Sequence, residues 1–599
     1  MFIKEIRKKN PYSNKVFTYH RLIESYRTEK GPRHRTILNL GKLSIDKKEW
    51  KLLANRIEEI LHKQDRLFEV PEDIESLAWH YASLINAKKL NTDNVEIMDD
   101  YQLVDVNKVN KERVRSIGNE HIFHTFYKKL QFPEIFDRLG FREKEKEIAE
   151  LLIAGRMINP DSELSIYTWA NENSGLSELL NTSFKNTSLS SLYRTMDKIY
   201  SNKEKIEEEL RDRERDIFKL GEKVILYDLT NTYFEGRKYK SRKITFGRSK
   251  DKRNDARIIT IGLVVDSEGF AKSSYFFEGN ISEPKTLKEA LSKLRYEEKP
   301  TIIMDAGIGT EENIKYLIEN GFDYICVSRK RPKFKVSKRE GLVLIKEVEG
   351  GKKVEAKFID KTNEVILYCE SEMKKEKEQS MMEKFCKRYE EELNKLRGSI
   401  LRKGGVKRYE KVIERMGRIK ERSNGIHRLY DIEIIKDEKG RVKDLKYRYN
   451  EKEYIKERYE GKYYIRTSRR DLSEKELWEL YMTIIGIEDT FRVLKDELMI
   501  RPVYHYKEER IEAHLFIGIL AYHVLSSIRY RLRSKGILMR WKTIRNRMGN
   551  HVISTVRLKE KSGKVILIRT PSVPEYHHNI IYEALGITNQ PIPPRKSIM

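Results

Sequence analysis

Two aspartates and one glutamate are the residues best placed to do chemistry. Asp228 follows Val-Ile-Leu-Tyr at the end of an apolar run, and Asp305 follows Thr-Ile-Ile-Met and precedes Ala-Gly-Ile-Gly. A carboxylate ending such a strand is costly to bury, so it must face a cleft or a cation. The carboxyl ends of strands are also where open α/β sheets place their sites. Either aspartate alone reads equally well as a turn residue in a chain with 94 acidic residues; the pair in one sheet is the stronger signal. Glu488 lies in YMTIIGIEDTFRVLKDEL, bordering the helical face formed by Ile484, Ile487, Phe491 and Leu494. Arg492 and Lys495 follow within two turns, spaced to bind phosphate beside the carboxylate. Glu488 with Arg492 is also an ordinary i,i+4 ion pair, and without the aspartates that account would be preferred.

Taken together, three carboxylates beside basic residues suit in-line phosphodiester displacement. Two divalent ions per site, roughly 3.5–4 Å apart, activate the attacking oxygen and stabilise the leaving one, so no side chain need act as nucleophile. Hard oxygen ligands select Mg²⁺ or Mn²⁺. A run at 236–257, GRKYKSRKITFGRSKDKRNDAR, adds 10 Lys/Arg against 2 Asp. Phosphate is its natural partner, through Arg248, Lys250, Lys252 and Arg253. A solvated loop is the alternative, weakened by Gly247 and by the loop's place beside Asp228. There is no GxxxxGK[ST] for a nucleoside triphosphate, and Gly307-Ile-Gly309 reads as a strand-to-helix turn. His505 and His514 read as packing or DNA-contacting residues rather than ligands.

The elements that must position these residues lie between 222 and 330. Apolar runs at 224–234, 258–266 and 273–279 predict three strands, followed by a helix at 284–294, a strand at 301–307, a helix at 311–320 and a strand at 323–328. That order describes a mixed sheet with helices packed on it. Residues 331–470 interrupt the pattern with short alternating segments and a charged helical stretch. Ser473, with Glu476 three residues on, then caps a second helical block. Upstream, residues 1–50 carry 13 Lys/Arg against 5 Asp/Glu, and the alternation in KVFTYHRLIESYRT predicts a small basic β module. Residues 48–95 read as amphipathic helix. From 117 to 215 the spacing is helical, broken at Asn159-Pro160-Asp161-Ser162, which caps a helix carrying Trp169.

The divisions expected are therefore 1–95, a basic module and helix; 96–215, a helical DNA-binding region; 216–330, the first part of an α/β core; 331–470, an insertion; 471–535, the C-terminal helices of the core; and 536–599, a basic tail. At 599 residues and a net charge of +27, the chain has room for several domains and an affinity for polyanions. Lys-rich proteins are basic without binding nucleic acid, so charge alone does not decide the partner. Three cysteines make no CxxC pair, which fits a reducing interior and argues against zinc. The N-terminus lacks the apolar run of a signal peptide. The most apolar stretch, 515–528, is too short to span a bilayer and reads as a buried helix. A cytoplasmic protein away from membranes is expected.

The segments YDLTNTYFEG, GRSKDKRNDA, MDAGIGTEEN and IEDTFRVLKDELMIRPVYH together resemble DDE-type transposases of bacterial insertion sequences. The likeness is to the branch in which a β-rich insertion precedes the catalytic glutamate, and it runs from the N-terminus to about residue 530. The resemblance implies a ribonuclease-H-like core and assigns Asp228, Asp305 and Glu488 as the metal-binding triad. The branch carries a Tyr-x2-Arg-x3-Glu-x6-Lys signature, which Tyr481, Glu488 and Lys495 fit, while Ile484 stands where the arginine belongs. Arg492 is a candidate substitute one turn on. The resemblance further implies binding of double-stranded DNA at terminal inverted repeats and at a target, end cleavage, joining of 3′-hydroxyls, and a homo-oligomeric synaptic complex acting at the nucleoid. It places end recognition in the N-terminal regions, making 1–50 and 117–215 candidates. A metal-dependent nuclease of the same fold and a catalytically decayed DNA-binding relative remain alternatives.

Overall fold

The computed structural model describes residues 1–9, 16–28, 31–43, 45–62, 70–90, 103–221, 223–235, 241–250, 253, 255–294, 296, 298–328, 341–348, 350–362, 364–423, 425–450 and 461–599. The elements run β1 (Phe2–Lys9), β2 (Val16–Thr28), β3 (Gly31–Gly41), α1 (Trp50–Leu61), α2 (Glu72–Leu90) and β4 (Asn110–Ser116). A helical region follows: α3 (Gly118–Lys129), α4 (Phe132–Arg138), α5 (Glu143–Ile158), α6 (Glu163–Glu172), α7 (Leu176–Leu179), α8 (Leu189–Ser201) and α9 (Lys203–Phe218). Then come β5 (Val224–Tyr233), β6 (Ile258–Asp266), β7 (Ala271–Glu278), α10 (Leu287–Ser292), β8 (Thr301–Met304), α11 (Glu311–Glu319) and β9 (Asp323–Val327). Next are β10 (Val343–Val348), β11 (Lys352–Asp360), β12 (Val365–Ser371), α12 (Glu372–Leu401), α13 (Tyr409–Arg422), β13 (Tyr430–Lys436), β14 (Val442–Tyr449) and β15 (Lys462–Thr467). The chain ends with α14 (Glu474–Met482), α15 (Ile484–Arg492), α16 (Glu508–Arg533), α17 (Trp541–Met548), β16 (Val552–Lys559), β17 (Val565–Pro571), α18 (Tyr576–Leu585) and β18 (Arg595–Ile598).

The chain divides into two compact units, one of residues 1–221, 229–281 and 488–599, the other of 222–228 and 282–487. In the first, β1, β2 and β3 form an antiparallel meander. Leu22, Leu40, Leu53, Ile57, Ile74 and Ala78 join it to α1 and α2 in one small core. The single amphipathic helix expected over 48–95 is thus two helices. The Asn159–Ser162 break behaves as its residue types dictate, with the Ser162 hydroxyl accepting from the Ser165 N–H at 3.3 Å at the start of α6. The core of this unit is α16, whose apolar stretch lies inside a 26-residue helix. By length and composition that helix would cross a membrane, but its apolar window is wholly buried in the fold. Residues 536–599 do not form a tail. β16 pairs with β17 and with β4, and β17 with β18, giving a four-stranded antiparallel sheet that ties residues 110–116 to the C-terminus.

In the second unit the strand order is β10-β11-β12-β15-β9-β8-β5. β5, β8 and β9 are parallel, and the remaining pairs are antiparallel. The fold is mixed α/β, and the strands of 224–327 fall where their apolar runs put them. Ile302, Ile303 and Met304 are fully buried, as parallel strands covered on both faces require. Within the insertion expected over 331–470, β10, β11 and β12 continue this sheet. What stands apart is α12, α13, β13 and β14, around a core of Leu393, Leu396, Val412, Val442 and Leu445. In the first unit, β5 is followed by β6 and β7 in the order β5-β6-β7, with β6 and β7 antiparallel.

Candidate active site

β5 and β8 run parallel, and their last registered pair is Tyr227 with Met304. Asp228 and Asp305 are each one residue beyond that pair, on neighbouring strands about 4.8 Å apart. Asp305 follows the end of β8, but Asp228 does not end its strand as the apolar run before it suggested, because β5 continues through Leu229, Thr230, Asn231 and Thr232 to Tyr233. Both are half-buried. The turn after Asp305 is built around its own carboxylate: Oδ1 accepts the Ile308 N–H at 2.9 Å, and the backbone carbonyl accepts from Gly309 at 3.0 Å. A side chain at Gly309 would stand 3.0 Å from the Cys326 sulfur, which explains a glycine in that turn. Thr310 then caps α11 through its hydroxyl. The Gly307–Gly309 segment is thus the strand-to-helix turn its spacing suggested.

Glu488 is exposed, on the part of α15 that belongs to the first unit. Ile487, Phe491 and Leu494 are buried beneath it, so the apolar stripe is real. The helix is fixed further along, where Thr490 Oγ1 lies 2.7 Å from the Tyr522 hydroxyl, which donates to the Gly269 carbonyl at 2.6 Å. Residues 493–497 pass into a π-helical turn containing Lys495, a distortion found disproportionately at functional sites. Arg492 is engaged rather than spare. It pairs with Asp489, whose other oxygen accepts from Arg529 at 2.5 Å. Burial opposes ionisation of Asp489, but Arg529 and then Arg492 outweigh it and hold its carboxyl below the usual range. Tyr481 is half-buried at the end of α14, in the second unit.

The basic loop after β5 is anchored, not merely solvated. Asn231 donates to the Arg248 carbonyl at 3.1 Å and accepts the Lys250 N–H at 2.9 Å. Its far end is held by Glu508, which accepts from the Ser241 hydroxyl at 2.6 Å and the Arg242 N–H at 2.9 Å. Gly247 permits the close approach, since a Cβ there would meet the Gly279 carbonyl oxygen at 2.3 Å. Of the four cations expected to meet phosphate, Arg248 is exposed. Lys250 reaches back to the Leu229 carbonyl. Arg253 grips Asp255 at 2.9 and 3.0 Å, and Lys252 lies outside the described residues. Asn231 was not among the expected residues; its one signal was an amide inside an otherwise apolar and Thr-rich strand.

His505 and His514 are not loose surface histidines. Nε2 of His505 and Nδ1 of His514 lie 2.9 and 2.7 Å from the two oxygens of Glu163. A glutamate and two histidines at this spacing resemble a metal-ligand set, but Arg156 occupies the same ground. Its Nη2 is 3.2 Å from His514 Nδ1 and 3.7 Å from Glu163. Burial, with Arg156 behind it, pushes His514 down to about 4. The guanidinium supplies the positive charge this carboxylate needs, and the cluster is a buried ion-pair network.

Against this geometry, the family model "Transposase DDE domain" matches residues 219–524, and the model "IS1634 family transposase, N-terminal domain" matches residues 6–69. The chain belongs to the DDE transposases. The larger match begins just before β5 and ends inside α16, so it encloses both aspartates and Glu488. Among curated proteins none matches. A solved cryo-EM structure, a piggyBac transposase synaptic complex with hairpin DNA, is similar at 10% identity and a TM-score of 0.30, over 67% of this chain and 79% of that one.

Proposed function

We propose that this transposase binds the terminal inverted repeats of an insertion sequence, hydrolyses the strands at the ends and joins the 3′-hydroxyls to target DNA. The observation that carries the reading is the register of β5 and β8, which puts Asp228 and Asp305 one residue past the same registered pair on neighbouring strands, inside the matched segment. Strand orders β5-β6-β7 and β9-β8-β5 within the two units support a ribonuclease-H-like core. Glu488 is taken as the third carboxylate from its place in the resemblance, with Tyr481 and Lys495 as DNA contacts.

The residues fit a hard divalent cation. Both aspartates offer carboxylate oxygens at half-buried positions, and Oδ1 of Asp305 also accepts the Ile308 N–H in its turn. When bound, two Mg²⁺ or Mn²⁺ ions supply the charge that in-line phosphodiester displacement needs. The chain's own part is to hold the two aspartates on neighbouring strands and to bind phosphate through Arg248 and the loop that Asn231 clamps. Double-stranded DNA is the partner, a homo-oligomer the acting form, and the cytoplasm the setting.

The test uses purified chain, Mg²⁺ and a duplex carrying the element's own ends, with Asp228→Ala alongside. Cleavage with joined product is expected from the wild type only. Cleavage without joining would move the reading to a nuclease, and equal end binding with no cutting by either protein would remove the catalytic claim.

A further inference from the structure

Between Glu512 and Glu560 the sequence has no acidic residue, and 529–550 alone holds eight Lys/Arg. Acids otherwise occur 94 times in 599 residues, so this gap is a local property and not a reflection of overall charge. The stretch covers the end of α16, a turn and α17. Helix α16 closes with Gly536 in the left-handed region, where Gly536 N–H bonds the Arg533 carbonyl at 2.9 Å and Ile537 N–H the Leu532 carbonyl at 3.0 Å. The next residue, Leu538, is 80% exposed.

Helix α17 is seated firmly on its other side. Trp541, Ile544 and Met548 are fully buried, and the Trp541 indole N–H donates to the Met157 carbonyl at 2.9 Å. Its last carbonyls are satisfied from beneath: Asn119 donates to Arg545 O at 2.9 Å. His578, whose Nδ1 accepts the Glu575 N–H, donates from Nε2 to Arg547 O at 3.0 Å. The opposite face, Lys542, Thr543, Asn546, Arg547 and Asn550, is exposed, as are Lys535 and Arg540 before it. Arg529 and Arg533 have partners in Asp489 and the Glu268 carbonyl. Among the described residues, none of Lys535, Arg540, Lys542 and Arg547 pairs with a carboxylate.

We propose that the exposed face of α17 and the turn before it form a second duplex-DNA contact surface, built from residues other than the carboxylates and the basic loop. This inference rests on the transposase reading for its partner. The cations meet backbone phosphates, and Leu538 meets the apolar sugar and base edges of a groove. A rigid helix with unpaired cations on one face loses little side-chain pairing when phosphate binds, which favours this surface over cations already held in ion pairs.

The experiment measures binding of the full chain to a labelled duplex of random sequence, without divalent metal, across a salt series. Replacing Arg540, Lys542 and Arg547 together by alanine should flatten the slope of log affinity against log salt by about 2–3. It should also weaken binding at least about tenfold at moderate salt. Lys542→Gln alone, a change on an exposed position that leaves the seat of α17 intact, should flatten the slope by about one. Leu538→Ala should weaken binding with the slope unchanged, because an apolar contact releases no counterion. An unchanged slope and affinity in the triple variant and in Lys542→Gln would overturn the surface. The two readings fail separately: wild-type cleavage of the ends with an unchanged triple-variant slope removes only this surface, whereas a flattened slope in a chain that never cuts removes only the catalytic reading.

Discussion

Asn231 shows how one side chain organises the basic loop after β5. It is buried in β5 three residues beyond Asp228 and gives both its hydrogen bonds to the basic loop. Asn231→Ala leaves the Arg248 carbonyl and the Lys250 N–H without partners, a cost of about 1–3 kcal/mol for each group that stays buried. The expected outcome is a released loop: raised hydrogen exchange over 241–250, DNA affinity reduced several-fold, and an unchanged far-ultraviolet circular dichroism spectrum. Arg492 teaches a related point. Its spacing from Glu488 suggested a replacement for the arginine missing at Ile484, but Asp489 lies one residue after Glu488 and claims it together with Arg529. Asp489 stands at i,i+3 from Arg492, but its second partner was not legible from spacing, because Arg529 is 40 residues away in sequence.

At the scale of elements, α17 is the clearest case of a helix made by burial. It has eight residues, too few to be stable alone in water, and it stands because Trp541 fills the space above α5. Trp541→Ala should cost about 3–5 kcal/mol locally, read as faster hydrogen exchange confined to 541–548 and its neighbours, with the N-terminal meander unaffected. Strands β5, β8 and β9 were legible because parallel strands are apolar on both faces and announce themselves as continuous runs. The caps at Ser162 and Ser473 were legible because capping is a local interaction. Two assignments were not. β16 pairs with β4, more than 400 residues earlier, and β12 joins the core sheet only through β15, about 100 residues later. Long-range pairing leaves no local mark, so a strand-rich C-terminus read as a tail, and nothing local marked β12 as part of the core sheet. The two aspartates were found because they end local runs. Their strand-to-strand register came only from the fold.

For the molecule as a whole, buried histidines set the response to acid. His514 and His551 are both pushed down to about 4, by burial first and then by Arg156 and His578 respectively. A histidine whose folded value lies below its unfolded value of about 6.5 binds fewer protons when folded, so its contribution is complete above that pH and is lost as pH falls toward 4. Glu163 acts in the same direction, while Glu120 and Glu214, raised by burial, soften the trend. Thermal midpoints should therefore fall between pH 6.5 and 4, and His551→Gln should make that fall shallower. The central claim concerns the three carboxylates, and it is tested most directly by cleavage of the cognate end duplex in Mg²⁺ by Asp228→Asn, Asp305→Asn and Glu488→Gln, each paired with an end-binding measurement. Each single change should reduce cleavage by roughly 10³-fold or more, the scale of losing transition-state charge stabilisation, with end binding retained. Cleavage at the wild-type rate by any one of the three would contradict the account.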